Sequence, residues 1–203
     1  MIVAILVLAA GASSRMGQPK QLLQWKGTTL IRQAMIQALS CEATKTYVVT
    51  GAYHNEVWQN IENFPIEQVH NPNWKDGLAS SIRIGIEAIE KCSHYNEGVV
   101  IKLVDQPAVD FVYLNRIIKK AKKLSHQIIA TAYNNTLGIP ALFKRSMFEG
   151  LKSLEGDVGA SSIIKANQSV THIVKPKEHF WDMDTPEEYK FRLNELISEN
   201  TVS

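Results

Sequence analysis

The start of the chain restricts its fold more than any other feature. Ile2 to Leu8 is an unbroken apolar run that ends at Ala9-Ala10-Gly11. Continuous rather than alternating hydrophobicity marks a strand covered on both faces, as in a parallel sheet lying between two layers of helices. The run is too short for a membrane span. No Lys or Arg precedes it, and it leads straight into a Gly/Ser turn and Arg15. A secretory leader is therefore not expected, and the expected location is cytoplasmic.

Beyond this strand the sequence switches repeatedly between two periods. Helical spacing recurs at Leu30, Ala34 and Ala38, at Leu78, Ile82, Ile86 and Ile89, and at Leu114, Ile117, Ile118 and Ala121. Strands are expected at Thr46 to Thr50, Ile66 to His70, Gly98 to Val104, Ile128 to Ala132, Pro140 to Phe143 and Val170 to Val174, with a short helix from Asn55 to Ile61. Thr185-Pro186-Glu187-Glu188 offers an N-cap, an N1 proline and a capping-box glutamate in order, so a last helix starts there. Strands alternating with helices predict an α/β fold with a mostly parallel sheet and helices on both faces. No repeat or linker divides the 203 residues, which read as one domain, 1–203. The least regular stretch, Asn134 to Asn167, reads as an insertion over the site, and Asn200 to Ser203 as a loose tail.

Charge narrows the partners. A net charge of +2 provides no broad basic surface, so neither nucleic acid nor membrane is expected as a partner, and any basic site must be local. Cys41 and Cys92 fall in no metal or redox pattern. The six histidines have no metal spacing, and His54, His94 and His126 are expected at the surface. Trp25, Trp58 and Trp74 are expected to be packing residues.

Five segments carry chemistry. Leu8-Ala9-Ala10-Gly11-Ala12-Ser13-Ser14-Arg15-Met16-Gly17-Gln18-Pro19-Lys20 follows the first strand, where α/β sheets bind ligands. Small residues let backbone N–H groups approach a triphosphate, and Arg15 and Lys20 add two cations. The spacing is neither a Walker A loop nor G-x-G-x-x-G, and a turn with two solvated cations is the other reading. Asp105, in Asp105-Gln106-Pro107, follows a buried strand and either holds Mg²⁺ against phosphates or caps a turn. Asp182 and Asp184 precede the last helix, which Thr185 already caps, so they are either metal ligands or acids favouring a helix N-terminus. Gly77 to Ser81 opens a helix, and there Ser80 and Ser81 either read a base or simply start the helix. Gly138-Ile139-Pro140 and Gly156-Asp157-Val158-Gly159 are turns.

Taken in order, these segments resemble the MobA-like nucleotidyltransferase family, and within it the molybdenum cofactor cytidylyltransferase branch. Residues 8 to 23 follow its pattern L-A-A-G-x-S-x-R-M-G-x-P-K-x-L-L throughout. Asn71 to Ser81 matches N-P-x-W-x-x-G-L-S-S-S except at Ala79. D-Q-P, G-D-x-G-A and D-x-D-T-P-E are present, and the resemblance covers about residues 1 to 192. The chain departs at Ile139, where the family often has histidine near the acceptor, and at Val104, which replaces Ala or Cys.

The resemblance implies a Rossmann-like nucleotidyltransferase fold and Mg²⁺-dependent transfer of CMP from CTP to a molybdopterin-type acceptor. It implies Arg15, Lys20 and Asp105 as catalytic residues. Leu8, Ala9, Ala10, Gly11, Arg15, Lys20, Gly77, Ser80 and Ser81 would be nucleotide-binding, and Asp105 and Asp184 metal ligands, with Asp182 in reserve. The alternatives are transfer from GTP, a sugar-phosphate acceptor, or an accessory protein that carries cofactor to a molybdenum hydroxylase client. The guanylyl branch tends to show L-A-G-G, so Ala10 favours CTP.

Overall fold

The computed structural model describes residues 1–92, 96–133, 136–177 and 180–201; His94 and the last two residues of the expected tail lie outside them. The apolar start is strand β1 (Val3–Ala9), with every residue buried. The loop after it passes through two 3₁₀ turns and a small hairpin, β2 (Gln24–Trp25) and β3 (Thr28–Thr29), to α1 (Leu30–Leu39). The Thr29 side chain caps α1 by accepting from the Arg32 N–H at 3.4 Å. Then come β4 (Lys45–Thr50), α2 (His54–Ile61), β5 (Glu67–His70), α3 (Leu78–Cys92), β6 (Gly98–Leu103) and α4 (Phe111–Lys123). The rest is β7 (Ile128–Tyr133), β8 (Thr136–Lys144), α5 (Phe148–Lys152), α6 (Ser161–Ala166), β9 (Thr171–Val174) and α7 (Pro186–Thr201).

Among the described residues, seven strands form one sheet in the order β5-β4-β1-β6-β8-β7-β9. The pairs β5–β4, β4–β1, β1–β6 and β7–β9 are parallel; β8 runs antiparallel to both its neighbours. Alternation along β1 divides the core. Val3, Ile5, Val7 and Ala9 face a layer containing α1 and α4. Ala4, Leu6, Leu8 and Ala10 face the layer containing α3, α5 and α6. Full burial of one such aliphatic side chain contributes about 1.5–3 kcal/mol, and both faces of β1 gain it. This satisfies the expectation of a mostly parallel sheet covered on both sides. No helix among the described residues is long and apolar enough to cross a membrane.

The stretch expected to be an insertion is instead part of the architecture. Thr136–Lys144 is the strand between β6 and β7, and Phe148, Leu151 and Ile164 of α5 and α6 belong to the core. The final helix starts as expected: Thr185 Oγ1 accepts from the Glu188 N–H at 3.2 Å, and Glu188 Oε2 accepts from the Thr185 N–H at 2.9 Å. It continues to Thr201, further than expected.

Parallel pairing brings the carboxyl ends of β1, β4, β5 and β6 to one edge, since Ala9 is level with Thr50, Thr50 with His70, and Leu8 with Leu103. The loop after β5 closes this edge against the turn before α6. Gly77 has φ of +93°, and a Cβ there would lie 2.3 Å from the Gly156 carbonyl carbon and oxygen. The Ala79 N–H donates to that same carbonyl at 3.0 Å. Gly77→Ala is expected to cost about 2–4 kcal/mol, because positive-φ strain and displaced backbone each typically cost 1–3. Urea denaturation measures it; a loss below about 0.5 kcal/mol, the range of ordinary surface substitutions, would show that the contact does not set the loop.

Candidate active site

The glycine-rich loop is stapled by a residue that the motif reading passed over. Gln21 is 1% exposed, and its Nε2 donates to the carbonyls of Ala9 at 3.0 Å and Gly11 at 2.8 Å. The Lys20 N–H donates to Ser13 Oγ at 3.1 Å, and Ser13 has φ of 53°. These bonds turn the chain back on itself and set the Lys20 side chain beside the carboxyl end of β1. A Cβ built on Gly11 meets nothing within 4 Å. Packing within the protein therefore does not require glycine there; the loop leaves space above its backbone.

Lys20 is the centre of the cluster. Its ammonium donates to Asp105 Oδ2 and, at 3.2 Å, to Asp184 Oδ1. Arg15 donates to the other Asp184 oxygen at 3.0 Å from the exposed rim. Burial alone would lower the Lys20 pKa, but the two carboxylates outweigh it and the value is raised, so the ammonium stays charged at neutral pH. Asp105 is 4% exposed, and its Oδ1 has no hydrogen-bond partner among the described residues. The Met183 N–H donates to the Asp105 backbone carbonyl at 3.0 Å, which joins the 181–184 segment to the end of β6. Burial, together with Asp105 and Asp184 nearby, raises the Asp182 pKa, partly offset by a hydrogen bond from Gln106. Lys102, fully buried on β6, is pushed down to about 8 by burial, with Asp105 pulling it back up.

Leu8, Ala9, Ala10, Gly11, Lys20, Gly77, Ser81, Asp105 and Asp184 line one cavity of about 420 Å³. Trp74, Lys75, Asp157 and Asp182 line it too. Trp74 packs against the core, as expected, and borders the cavity as well. Two expected residues do not line the cavity: Arg15, which stays on the exposed rim, and Ser80, which is 4% exposed, has its Oγ 2.8 Å from the Gly77 carbonyl and 3.1 Å from that of Asn73, and accepts from Asn71 Nδ2 at 2.8 Å. Its hydroxyl shapes the turn. Ser81 Oγ accepts from the same Asn71 amide at 2.9 Å but also borders the cavity. Two histidines expected at the surface are half-buried instead, His54 stacked on His70 at 3.8 Å and His126 facing His172 at 5.3 Å. Among the described residues no three His, Cys, Asp or Glu side chains form a preset metal cage. A larger groove of about 720 Å³ follows α4, past Phe111, Arg116 and Lys120, away from the carboxylates. The smaller cavity is the one at the carboxyl end of β1, where Lys20 meets Asp105 and Asp184.

Replacing Gln21 by Leu would leave two loop carbonyls without their donor, at a cost of about 1–3 kcal/mol. Thermal unfolding is expected to show that loss, and a midpoint equal to that of the unaltered protein would contradict the staple.

The geometry agrees with comparisons to known proteins. The model of the MobA-like NTP transferase domain matches residues 5–171. Purine catabolism protein PucB of Bacillus subtilis is 30% identical over 196 residues, 90% of this chain and 91% of its own length. A molybdenum cofactor guanylyltransferase of Xanthomonas euvesicatoria is 30% identical over 96% of this chain and 94% of its own. The molybdenum cofactor cytidylyltransferase of Escherichia coli is 34% identical over 86 residues, 42% of this chain and 44% of its own. Among solved structures, Rv0371c of Mycobacterium tuberculosis superposes with a TM-score of 0.83 at 26% identity, covering 96% of this chain and 98% of that one. Rv0371c has also been solved in complex with manganese. With the family model spanning most of its length, the chain belongs to the MobA-like NTP transferase domain family.

Proposed function

We propose that this protein transfers CMP from CTP to the phosphate of a molybdopterin-type acceptor and releases pyrophosphate. The observation that carries this reading is the Lys20 ammonium lodged between Asp105 and Asp184 at the mouth of the glycine-rich loop. The loop backbone takes the nucleotide, and Lys20 and Arg15 donate to phosphate oxygens. An acceptor phosphate oxygen attacks the α-phosphorus in line. The bond from the α-phosphorus to the bridging oxygen breaks, and its electron pair leaves on pyrophosphate. The chain's contribution is positioning and charge neutralisation, which suffices for phosphoryl-type transfer.

A divalent cation fits the residues present. Asp105 Oδ1 is a buried carboxylate oxygen with no partner among the described residues, and Asp184 shares the same ammonium. Mg²⁺ usually takes one or two protein carboxylates and completes its shell with water and substrate, and it would neutralise charge on the phosphate oxygens. In this reading Lys20 is a stand-in cation. It holds the two acids together in the free protein and exchanges them for phosphate oxygens when the nucleotide arrives.

Ala10 in Leu8-Ala9-Ala10-Gly11 supports cytosine as the base. The guanylyltransferase relative, matched over 96% of this chain, supports GTP as the second reading. Keeping Lys20 and Asp105 together favours an enzyme over a pure carrier for a molybdenum hydroxylase.

Incubation with each triphosphate and a molybdopterin acceptor, with products identified by mass, is expected to give the cytosine dinucleotide in preference to the guanine one. Equal or better turnover with GTP would move the assignment to guanylyl transfer and leave the reaction class intact. Lys20→Ala is expected to lower turnover about 10²–10³-fold, the scale for losing one charge-stabilising donor. Near-normal turnover of that folded variant would remove Lys20 from the chemistry.

A further inference from the structure

Asp157, in the turn between α5 and α6, lines the same cavity as Lys20 but takes no part in its ion pairs. Close packing fixes this turn on the loop after β5. The Gly156 carbonyl accepts from the Ala79 N–H at 3.0 Å, and a Cβ on Gly77 would lie 2.3 Å from that carbonyl. On the other side of Asp157, a Cβ on Gly159 would lie 3.0 Å from Leu78 Cδ2. Asp157 is therefore clamped between two points of backbone packing, on the wall that it forms with Gly77, Leu78 and Ser81.

An aspartate in a turn ahead of a helix commonly caps that helix. This one does not, because α6 starts without a side-chain cap. The Asp157 carboxylate is exposed and has no hydrogen bond or ion pair with any described residue. Both of its oxygens keep their capacity to accept. Such a group matches two N–H groups side by side, with charge assisting both bonds. An aminopyrimidinone presents that pair, as an amino group next to a ring N–H. Pterins and guanine share this edge. Cytosine lacks it: beside its amino group stands a bare ring nitrogen, whose lone pair would face the second carboxylate oxygen. The charge also repels phosphate, so a ligand carrying both groups is oriented with its phosphate towards Lys20.

We propose that Asp157 is a specificity-determining residue that takes the aminopyrimidinone edge of the acceptor's pterin. This rests on the molybdopterin-type acceptor proposed above. With CTP as the donor, the pterin is the reactant that carries this edge.

The test is a fluorescence titration of the unaltered protein and Asp157→Asn with pterin and with lumazine, in which oxygen replaces the pterin amino group; GTP is added as a competitor. The unaltered protein is expected to bind pterin about 10–100-fold more tightly than lumazine, the scale of a hydrogen bond to a charged group. Asparagine keeps the shape but turns one acceptor into a donor, so Asp157→Asn should lose that preference or reverse it. A merely structural aspartate would not exchange one ligand for the other. An unchanged preference in the folded variant would overturn the proposal and leave the acceptor reading standing. If GTP affinity falls about tenfold in Asp157→Asn while the pterin preference stays intact, the edge belongs to guanine and the pterin assignment is overturned. An unaltered protein that binds neither pterin nor lumazine would overturn the acceptor reading and this inference together.

Discussion

One ammonium between two carboxylates governs the organisation of this protein. Lys20 comes from the first loop, Asp105 from the end of a central strand and Asp184 from the segment before the last helix. Taking these charges out of water costs several kcal/mol per ion, and geometry must recover it. The surrounding structure supplies that geometry. Gln21 and Ser13 fold the loop so that Lys20 points inward, and the Met183 N–H draws the late segment onto the Asp105 carbonyl. A buried carboxylate missing its partner is strongly destabilising, so residues separated by up to 164 positions are held to one arrangement.

The sheet makes that meeting possible. Parallel strands end together, so loops distant in sequence share one edge, and the ligand sites of α/β proteins lie there. β8 breaks the parallel run and brings Ile139 to the Gln106 amide, while Tyr133 arrives from β7. The antiparallel half thus does more than extend the core. On the other side of the cavity, the close approach of Gly77 to Gly156 brings Asp157 to the wall. One cavity therefore carries a carboxylate-rich end and an end with Trp74, Lys75 and Ser81.

Much of this was legible in the sequence because its cause is local. The apolar run of β1, the α3 and α4 spacings and the Thr185–Glu188 capping box each depend on residues a few positions apart, and each forms as expected. The cavity lining was legible through the motif at residues 8 to 20. What was not legible depends on distant partners. The strand expected at Pro140 to Phe143 forms, but nothing local gives its antiparallel direction or its extension back to Thr136, which pairing with β6 and β7 sets. Lys102 sits fully buried in β6, which nothing in its neighbours along the chain foretells. Ser80 and Ser81 look alike in sequence, yet a helix turns adjacent residues about 100° apart, and only Ser81 borders the cavity. Gln21 and Gln106 carry no periodic signal, and their amides acquire meaning from carbonyls and a carboxylate elsewhere in the chain.

The claim that Lys20 stands in for a divalent cation is tested most directly by Mn²⁺ binding to Lys20→Met without nucleotide, compared with the unaltered protein. The ammonium and a cation would compete for the same carboxylate oxygens, so removing the ammonium should free the two acids for the ion. The account predicts Mn²⁺ affinity about tenfold or more higher in Lys20→Met. Unchanged or weaker binding in the folded variant would contradict it, because ammonium and metal would then not share the same carboxylates.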